Sequence, residues 1–188
     1  MPIPPPPNAE RKFHGTIMDL WQWEQRLFDG TTETFECVTR PDTVSVIPFL
    51  DEKTVLLTRQ EQPHNPRPFF DVPGGRVDAG ETMEAAVRRE LHEETGHKAN
   101  RLIEWHRQEL IGIYRYEAGL FLATGLHDGS GPHVDAGEKI ELLPTKWDDL
   151  VRMCLKRELR QANVMLAVLA MEFDPETTDR LHTWLRGQ

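Results

Sequence analysis

The sequence predicts an α/β protein in which helices pack on a mixed β-sheet. Three observations predict this class. Segments rich in β-forming residues fill the first third of the chain, an amphipathic helix follows near its centre, and helical segments dominate its end. The chain has 188 residues, which is the size of one ordinary domain or of one domain with a small appendage.

The first forty residues are predicted to form a tail and a small antiparallel sheet. Consecutive prolines at positions 4 to 7 predict an extended tail over residues 1–12. The pair Asp29-Gly30 is typical of a two-residue β-hairpin, and strand-forming residues flank it. We therefore expect an N-terminal sheet over residues 13–40, with a boundary after Arg40, and a main domain over residues 41–188.

The main domain is predicted to begin with strands. Residues 43–50 and 54–60 have the pattern of a second hairpin, whose turn lies at residues 51–53. A loop interrupted by prolines follows, and residues 69–72 then form a short predicted strand.

The clearest helix of the sequence is predicted for residues 81–95. Apolar residues recur there every three or four positions, which places them on one helix face, and Gly96 is typical of a helix end. These apolar residues are Met83, Ala86, Val87 and Leu91. Further strands are predicted for residues 102–110 and 120–124, and a glycine-rich loop for residues 127–137.

The last fifty residues are predicted to be helical. Thr145 and Asp148 have the spacing of a capping box, and Asp174 before Pro175 is typical of a helix start. Residues 164–171 are all apolar, so we expect a helix that is buried on most sides.

The composition excludes several classes of function. The chain carries 22 basic and 31 acidic residues, a formal net charge of -9, which argues against binding of a nucleic-acid polymer. No run of 18 apolar residues predicts a membrane span, and the first residues do not resemble a signal peptide. Two distant cysteines indicate neither a disulfide framework nor a metal motif. We expect a cytoplasmic protein without membrane contact.

Three glutamates of the central helix carry the chemical signal. Glu90, Glu93 and Glu94 are spaced i, i+3 and i+4, so their carboxylates project from one face, and each like-charge pair costs a few tenths of a kcal/mol. Divalent cations between them would remove that cost, because Mg²⁺ prefers carboxylate oxygens, water and phosphate. Arg89, four residues before Glu93, is placed to brace it. A solvated acidic face is the alternative interpretation.

The segment that contains these glutamates resembles the Nudix box, Gly-x5-Glu-x7-Arg-Glu-U-x-Glu-Glu-x-Gly-U, where U is a bulky aliphatic residue. His97 departs from the last aliphatic position. The residues that match in register are Gly75, Glu81, Arg89, Glu90, Leu91, Glu93, Glu94 and Gly96.

The resemblance implies an α/β/α sandwich around a mixed sheet and the hydrolysis of a nucleoside diphosphate linked to a second group. It implies Mg²⁺ as the cofactor, with Mn²⁺ as a possible substitute. Arg89 would orient the glutamates, and Glu93 would be a third ligand or take part in acid–base chemistry. The implied metal ligands are the carbonyl of Gly74 and the carboxylates of Glu90, Glu93 and Glu94.

Two regions outside the box resemble the ADP-ribose and nucleotide-sugar pyrophosphatase branch of the family. They are residues 13–39 and the strand 55–60 together with residues 72–76. This resemblance implies a homodimer whose N-terminal sheet crosses to the other subunit.

The chain also departs from this branch at two points. A second arginine often follows the Arg-Gln pair, and Gln62 stands there instead. The proline that often marks ADP-ribose specialists is absent at its usual distance after the box, which favours nucleotide sugars more broadly. The arginines expected to contact substrate are Arg59, Arg67 and Arg76.

In this branch the catalytic base often comes from an acidic loop after the box. Glu138 is our first candidate, followed by Glu141 and Asp135, and a box glutamate is a further alternative. A solvated acidic loop without a catalytic role is the remaining interpretation.

The sequence thus predicts a Mg²⁺-dependent enzyme that cleaves a nucleoside diphosphate sugar to a nucleoside monophosphate and a sugar phosphate. One alternative is a nucleotide-pool hydrolase that acts on triphosphates or dinucleoside polyphosphates. Another is a non-catalytic Nudix-fold sensor, although such a sensor would be expected to have lost box carboxylates.

Overall fold

A computed structural model describes residues 4–132 and 139–187 of the chain. This part of the chain forms ten strands and four helices. The strands are β1 (Glu10–His14), β2 (Asp19–Arg26), β3 (Thr32–Thr39), β4 (Thr43–Asp51), β5 (Thr54–Glu61), β6 (Phe69–Asp71), β7 (Gly74–Arg76), β8 (Lys98–Ile111), β9 (Tyr114–His127) and β10 (Lys139–Lys146). The helices are α1 (Met83–Thr95), α2 (Trp147–Leu155), α3 (Ala162–Phe173) and α4 (Pro175–Arg186).

The strands form one curled mixed sheet, as predicted. The main path runs β1-β2-β3-β9-β4-β5-β10, while β6 pairs with β5, β7 with β4 and β8 with β9. Strand β9 is parallel to β4 and antiparallel to β8, so both pairing modes meet at one strand. Strands β8 and β9 are each 14 residues long and exceed the predicted segments, because they pair along almost their whole length.

The N-terminal strands form the predicted antiparallel sheet. The hairpin between β2 and β3 turns through Gly30, whose φ of 89° lies in the left-handed region that favours glycine. Strand β1 begins at Glu10, inside the predicted tail. Strand β3 continues into the main sheet through two parallel pairs with β9, Val38 with Tyr114 and Thr39 with Arg115.

Alternation of side chains along β4 and β9 creates two cores, one on each face of the sheet. Val44 and Val46 lie in the core between the sheet and α1, whereas Ile47 and Phe49 lie in the core between the sheet and the other three helices. The same division holds for β9 between residues 120 and 123. Helices therefore cover both faces, and the predicted α/β/α sandwich is confirmed.

The prediction that the last fifty residues are helical is wrong at their start. Residues 139–146 form β10, which pairs antiparallel with β5 over eight residue pairs. The capping box is also wrong, because the residue that precedes α2 is Lys146 and the Thr145 hydroxyl donates to the carbonyl of Leu143 at 2.9 Å. A local helix signal was outweighed by the hydrogen bonds that β10 adds to the sheet edge.

Helix α3 is buried on one face only, which corrects the expectation of burial on most sides. Its buried residues are Val164, Val168 and Met171, and their spacing matches a single helical stripe, whereas Leu166 is 68% exposed. The predicted start of α4 is confirmed, since Asp174 accepts a hydrogen bond from the Thr177 amide at 3.0 Å. None of the helices in the described residues has the length and apolar character needed to cross a membrane.

A buried polar network connects the start of α3 to the sheet. The Ser45 hydroxyl donates to Gln161 Oε1 at 2.8 Å, and Gln161 Nε2 donates to Asp71 Oδ1 at 2.9 Å. The Val72 amide also donates to Asp71 Oδ1 at 2.9 Å. Burial raises the pKa of the Asp71 carboxyl to about 6, although these hydrogen bonds and the charge of Arg160 oppose the rise.

We predict that Asp71→Asn removes a pH-dependent contribution to stability. A carboxyl whose pKa is 3.8 when unfolded and about 6 when folded stabilises the fold below its unfolded pKa. That contribution is lost as pH rises through the folded pKa. From about pH 4 to pH 7, the free energy of unfolding of the wild type should fall relative to Asp71→Asn by up to roughly 3 kcal/mol. Urea unfolding across this pH range measures the difference.

Asp51→Asn is the matched control, because Asp51 is exposed and the Lys53 amide lowers its carboxyl pKa. Below about pH 4, the wild type should gain stability relative to Asp51→Asn as pH rises. Parallel pH profiles of the wild type and Asp71→Asn would contradict the burial argument.

Candidate active site

A cavity of about 970 Å³ lies where α1, the loop before α3 and six strands, β4 to β9, meet. Its lining is mostly polar and charged, and it includes the carboxylate face of α1. The lining residues used below are Ile17, Arg40, Gln60, Gln62, Asp71, Gly74, Gly75, Arg76, Arg89, Glu90, Glu93, Glu94, Leu110, Tyr116, Arg160 and Gln161.

Helix α1 is fixed at both ends and along one face, so its carboxylates have a defined position. The Thr82 hydroxyl accepts from the Ala85 amide at 3.1 Å, and Gly96 ends the helix with a φ of 73°. The apolar stripe that includes Val87 and Leu91 is fully buried against the sheet. The three glutamates lie next to this stripe, where Glu94 is itself buried, and they line the cavity.

Arg89 joins the acidic residues of this face through its guanidinium. Nε and Nη2 donate to the two Glu81 oxygens at 3.1 and 3.0 Å, and Nη1 donates to Glu90 at 2.8 Å and Glu93 at 3.1 Å. These carboxylates, Glu81 foremost, raise the pKa of Arg89 above its usual value, and Arg89 lowers the pKa of Glu81. The single positive charge of Arg89 therefore fixes the positions of three carboxylates, those of Glu81, Glu90 and Glu93.

The three glutamates differ in depth. Glu94 is 4% exposed and accepts from Gln60 Nε2 at 3.5 Å and from the Gly74 amide at 3.2 Å. The side chain of Glu90 is 13% exposed and that of Glu93 is 46% exposed. The exposure of the three glutamates therefore increases from Glu94, in the cavity wall, to Glu93, which reaches solvent.

Gly74 and Gly75 permit a close approach between β7 and its neighbours. A β-carbon at Gly74 would lie 2.3 Å from the backbone oxygen of Val44, and one at Gly75 would lie 2.2 Å from Glu90 Oε1. The space beside the Glu90 carboxylate thus exists only because residue 75 has no side chain.

The donor set fits a divalent cation. Three carboxylates from one helix face open into a cavity beside a glycine, and Mg²⁺ prefers this oxygen chemistry. Within residues 4–132 and 139–187, no three His, Cys, Asp or Glu side chains are arranged as ligands of one ion, and Arg89 lies among the glutamates.

The structure separates the three arginines that were expected to contact substrate. Arg76 lines the cavity, whereas Arg59 and Arg67 do not. Arg59 instead lies 3.4 Å from a carboxylate oxygen of Glu61 and 3.5 Å from one of Glu141.

Two other arginines line the cavity and were not among the predicted substrate contacts. Arg40 lies over the ring of Tyr116 at 4.8 Å, and Arg160 lies over that of Phe69 at 4.6 Å. Arg40 directly follows β3, and a polar residue at the end of a strand is a candidate for a binding site at the edge of the sheet. In the sequence, Arg160 belongs to a basic cluster with Lys156 and Arg157, which is more typical of a solvated helix face than of a phosphate site.

The candidates for the catalytic base are only partly within the described residues. Glu138 and Asp135 lie outside them. Glu141 lies on β10, where its Cα pairs with that of Arg59, and it does not line the cavity. The assignment of the base stays a prediction.

Comparison with known proteins gives a consistent result. The NUDIX domain family matches residues 39–163. An ADP-ribose pyrophosphatase of Bacillus subtilis (strain 168) is 25% identical over 167 residues, which cover 85% of this chain and 87% of that protein. An ADP-sugar pyrophosphatase of Mus musculus is 41% identical over 76 residues, covering 36% and 35% of the two chains.

A solved structure, described as the crystal structure of an ADP compounds hydrolase, has the same fold. It superimposes with a TM-score of 0.75 and 19% sequence identity, and the match covers 97% of this chain and 94% of that chain. The domain match spans well over half of the sequence and includes the whole carboxylate face of α1. The chain therefore belongs to the Nudix family of hydrolases.

Proposed function

We propose that the protein hydrolyses the diphosphate bond of a nucleoside diphosphate sugar, such as ADP-ribose, to a nucleoside monophosphate and a sugar phosphate. One observation carries the proposal. The carboxylates of Glu90, Glu93 and Glu94 project from one rigid helix into a cavity of about 970 Å³. Three arginines also line this cavity, and none of them forms a salt bridge with a carboxylate in the described part of the chain. These arginines are Arg40, Arg76 and Arg160.

We propose that Mg²⁺, or Mn²⁺ in its place, is held by Glu90, Glu93, Glu94 and the carbonyl of Gly74. A bound cation of this kind neutralises phosphate oxygens and lowers the pKa of an attacking water. Arg89 holds two of these carboxylates in position, and its guanidinium is charged at every pH at which the enzyme would work.

The cavity also suits the organic parts of such a substrate. Its volume lies at the upper end of the range for small-molecule sites. The lining includes apolar and aromatic groups, Ile17, Leu110 and Tyr116, at which a base or sugar could pack. The relatives named as pyrophosphatases of ADP-ribose and of ADP-sugars support this substrate class.

We propose Glu138 as the base that takes a proton from the attacking water, with Glu141 as the alternative. Glu138 immediately precedes Lys139, whose Cα pairs with that of Glu61 on β5. The neighbouring residue of β5 is Gln60, which lines the cavity and donates to Glu94. Strand β10, which Glu138 precedes in the sequence, therefore begins beside the strand whose Gln60 contacts the carboxylate cluster.

Product identification tests the proposed reaction. The protein is incubated with Mg²⁺ and ADP-ribose, other nucleotide sugars, nucleoside triphosphates or dinucleoside polyphosphates. The proposal expects a nucleoside monophosphate and a sugar phosphate. Pyrophosphate or a nucleoside polyphosphate as the main product would indicate a nucleotide-pool hydrolase, and binding without turnover would indicate a sensor.

We predict that Glu94→Gln lowers turnover by roughly 100-fold or more at saturating Mg²⁺, because it removes a carboxylate ligand and leaves the core volume unchanged. Glu84→Gln is the matched control, since Glu84 lies on the same helix and pairs with Arg88 outside the cavity. The control should retain turnover within about twofold. Near-normal turnover of both Glu94→Gln and Glu90→Gln would contradict the metal assignment.

We further propose that the protein is a homodimer and that the N-terminal sheet contacts the partner subunit near its substrate site. Large apolar side chains are exposed on this sheet and on its turn, Phe13 at 61% on β1 and Phe28 fully between β2 and β3. The turn between β8 and β9 adds Ile113, 68% exposed, whose carbonyl accepts from the Val38 amide at 2.6 Å. Large exposed apolar patches are typical of protein interfaces, and these exposed side chains support the proposal.

A dimer should sediment near twice the chain mass of 21.7 kDa. We predict that Ile113→Glu dissociates it, because a carboxylate cannot be buried unpaired in an apolar interface. Leu166→Glu is the control, since Leu166 is equally exposed but lies on α3, away from the N-terminal sheet. Wild-type protein that sediments as a monomer at micromolar concentration would overturn the proposal.

A further inference from the structure

The loop between α2 and α3 is bound to strand β6 and thereby reaches the cavity. The Arg160 amide donates to the Phe70 carbonyl at 2.9 Å, and Leu159, which is 4% exposed, forms a parallel bridge with Phe70. The next residue, Gln161, donates to the buried Asp71. The backbone at Arg160 is therefore held from both sides.

The guanidinium of Arg160 is positioned but has few partners. It lies over the Phe69 ring at 4.6 Å, and Nη1 donates to Gln62 Oε1 at 3.4 Å. It forms no salt bridge with any residue that the structure describes. Arg89, by contrast, is bonded to three carboxylates. A stacked guanidinium with unused donors is suited to planar recognition of an anion.

Hydrogen bonds connect this guanidinium to the carboxylate cluster. Gln62, which accepts from Arg160, donates to Gln60 Oε1 at 3.5 Å, and Gln60 Nε2 donates to both oxygens of Glu94 at 3.5 Å. Two glutamine side chains thus separate Arg160 from the deepest of the box glutamates. A phosphoryl group held at the cluster would lie on the side of the cavity that Arg160 faces.

We propose that Arg160 binds a phosphoryl group of the nucleoside diphosphate substrate and sets substrate affinity. This inference rests on the proposed function for the identity of the substrate. Arg160 contributes binding that is equal in the ground state and the transition state, because it lies beyond the glutamines and not among the box carboxylates. The contact depends on the bidentate geometry of a guanidinium, which lysine does not reproduce.

Steady-state kinetics with ADP-ribose and Mg²⁺ test this role. Arg160→Ala should raise KM by about 10- to 100-fold, the value of one charge-assisted hydrogen-bonded contact, and leave kcat within about threefold. Arg160→Lys should recover only part of the loss. Lys156→Ala is the control, because Lys156 is exposed on the same loop and does not line the cavity. Its KM should equal that of the wild type.

A double variant separates substrate binding from a structural role. Gln62→Arg combined with Arg160→Ala returns a guanidinium to the neighbouring position and should recover most of the lost affinity. A purely structural role of Arg160 predicts no recovery, and that result would overturn the inference.

Calorimetry with α,β-methylene-ADP, which cannot be hydrolysed between its phosphates, tests binding without catalysis. The wild type should bind it about 10- to 100-fold more tightly than Arg160→Ala does. Equal affinities, or no binding by the wild type, would overturn the inference, whatever reaction the enzyme catalyses. A loss of affinity in Arg160→Ala without any cleavage of nucleotide sugars would support the inference and refute the proposed reaction.

Discussion

Three carboxylates crowd one face of α1, and the bonds of two of them to Arg89 help to make this arrangement compatible with a folded helix. Each like-charge pair at this spacing opposes the helix, so Glu90, Glu93 and Glu94 need compensation. Arg89 supplies one positive charge, and it also anchors Glu81, which lies before the helix. Negative charge remains in excess on this face. A divalent cation between the carboxylates would complete the compensation, which is why we connect the charge pattern to catalysis.

The rest of the fold holds this charged face in place. Val44 and Val46 pack beneath α1, while the intervening residues of the same strand face the opposite core. The two glycines of β7 bring backbone close to β4 and to the Glu90 carboxylate. The cavity therefore opens at the point where the sheet, the helix and a side-chain-free strand converge.

The sequence was sufficient for the class of fold, the early hairpins and the carboxylate face, because each depends on local spacing. It was insufficient for β10, whose helical prediction ignored pairing with a strand some eighty residues earlier. It also did not place Arg160 at the cavity, because this residue reaches Gln62 across 98 positions of the chain. The network of Asp71 and Gln161 depends on a similar long-range contact. No local pattern encodes which distant loop lies against a given strand.

The central claim is that the carboxylate face of α1 binds a divalent cation, and thermal unfolding with added Mg²⁺ tests it without any assay of activity. A ligand that binds only the folded state adds about 2.7 kcal/mol at 100 times its dissociation constant, which raises the Tm of a protein of this size by several degrees. We expect that rise in the wild type and in Glu84→Gln, and its loss when Glu90→Gln and Glu94→Gln are combined. The same rise in the combined variant, or no rise in the wild type, would contradict the claim.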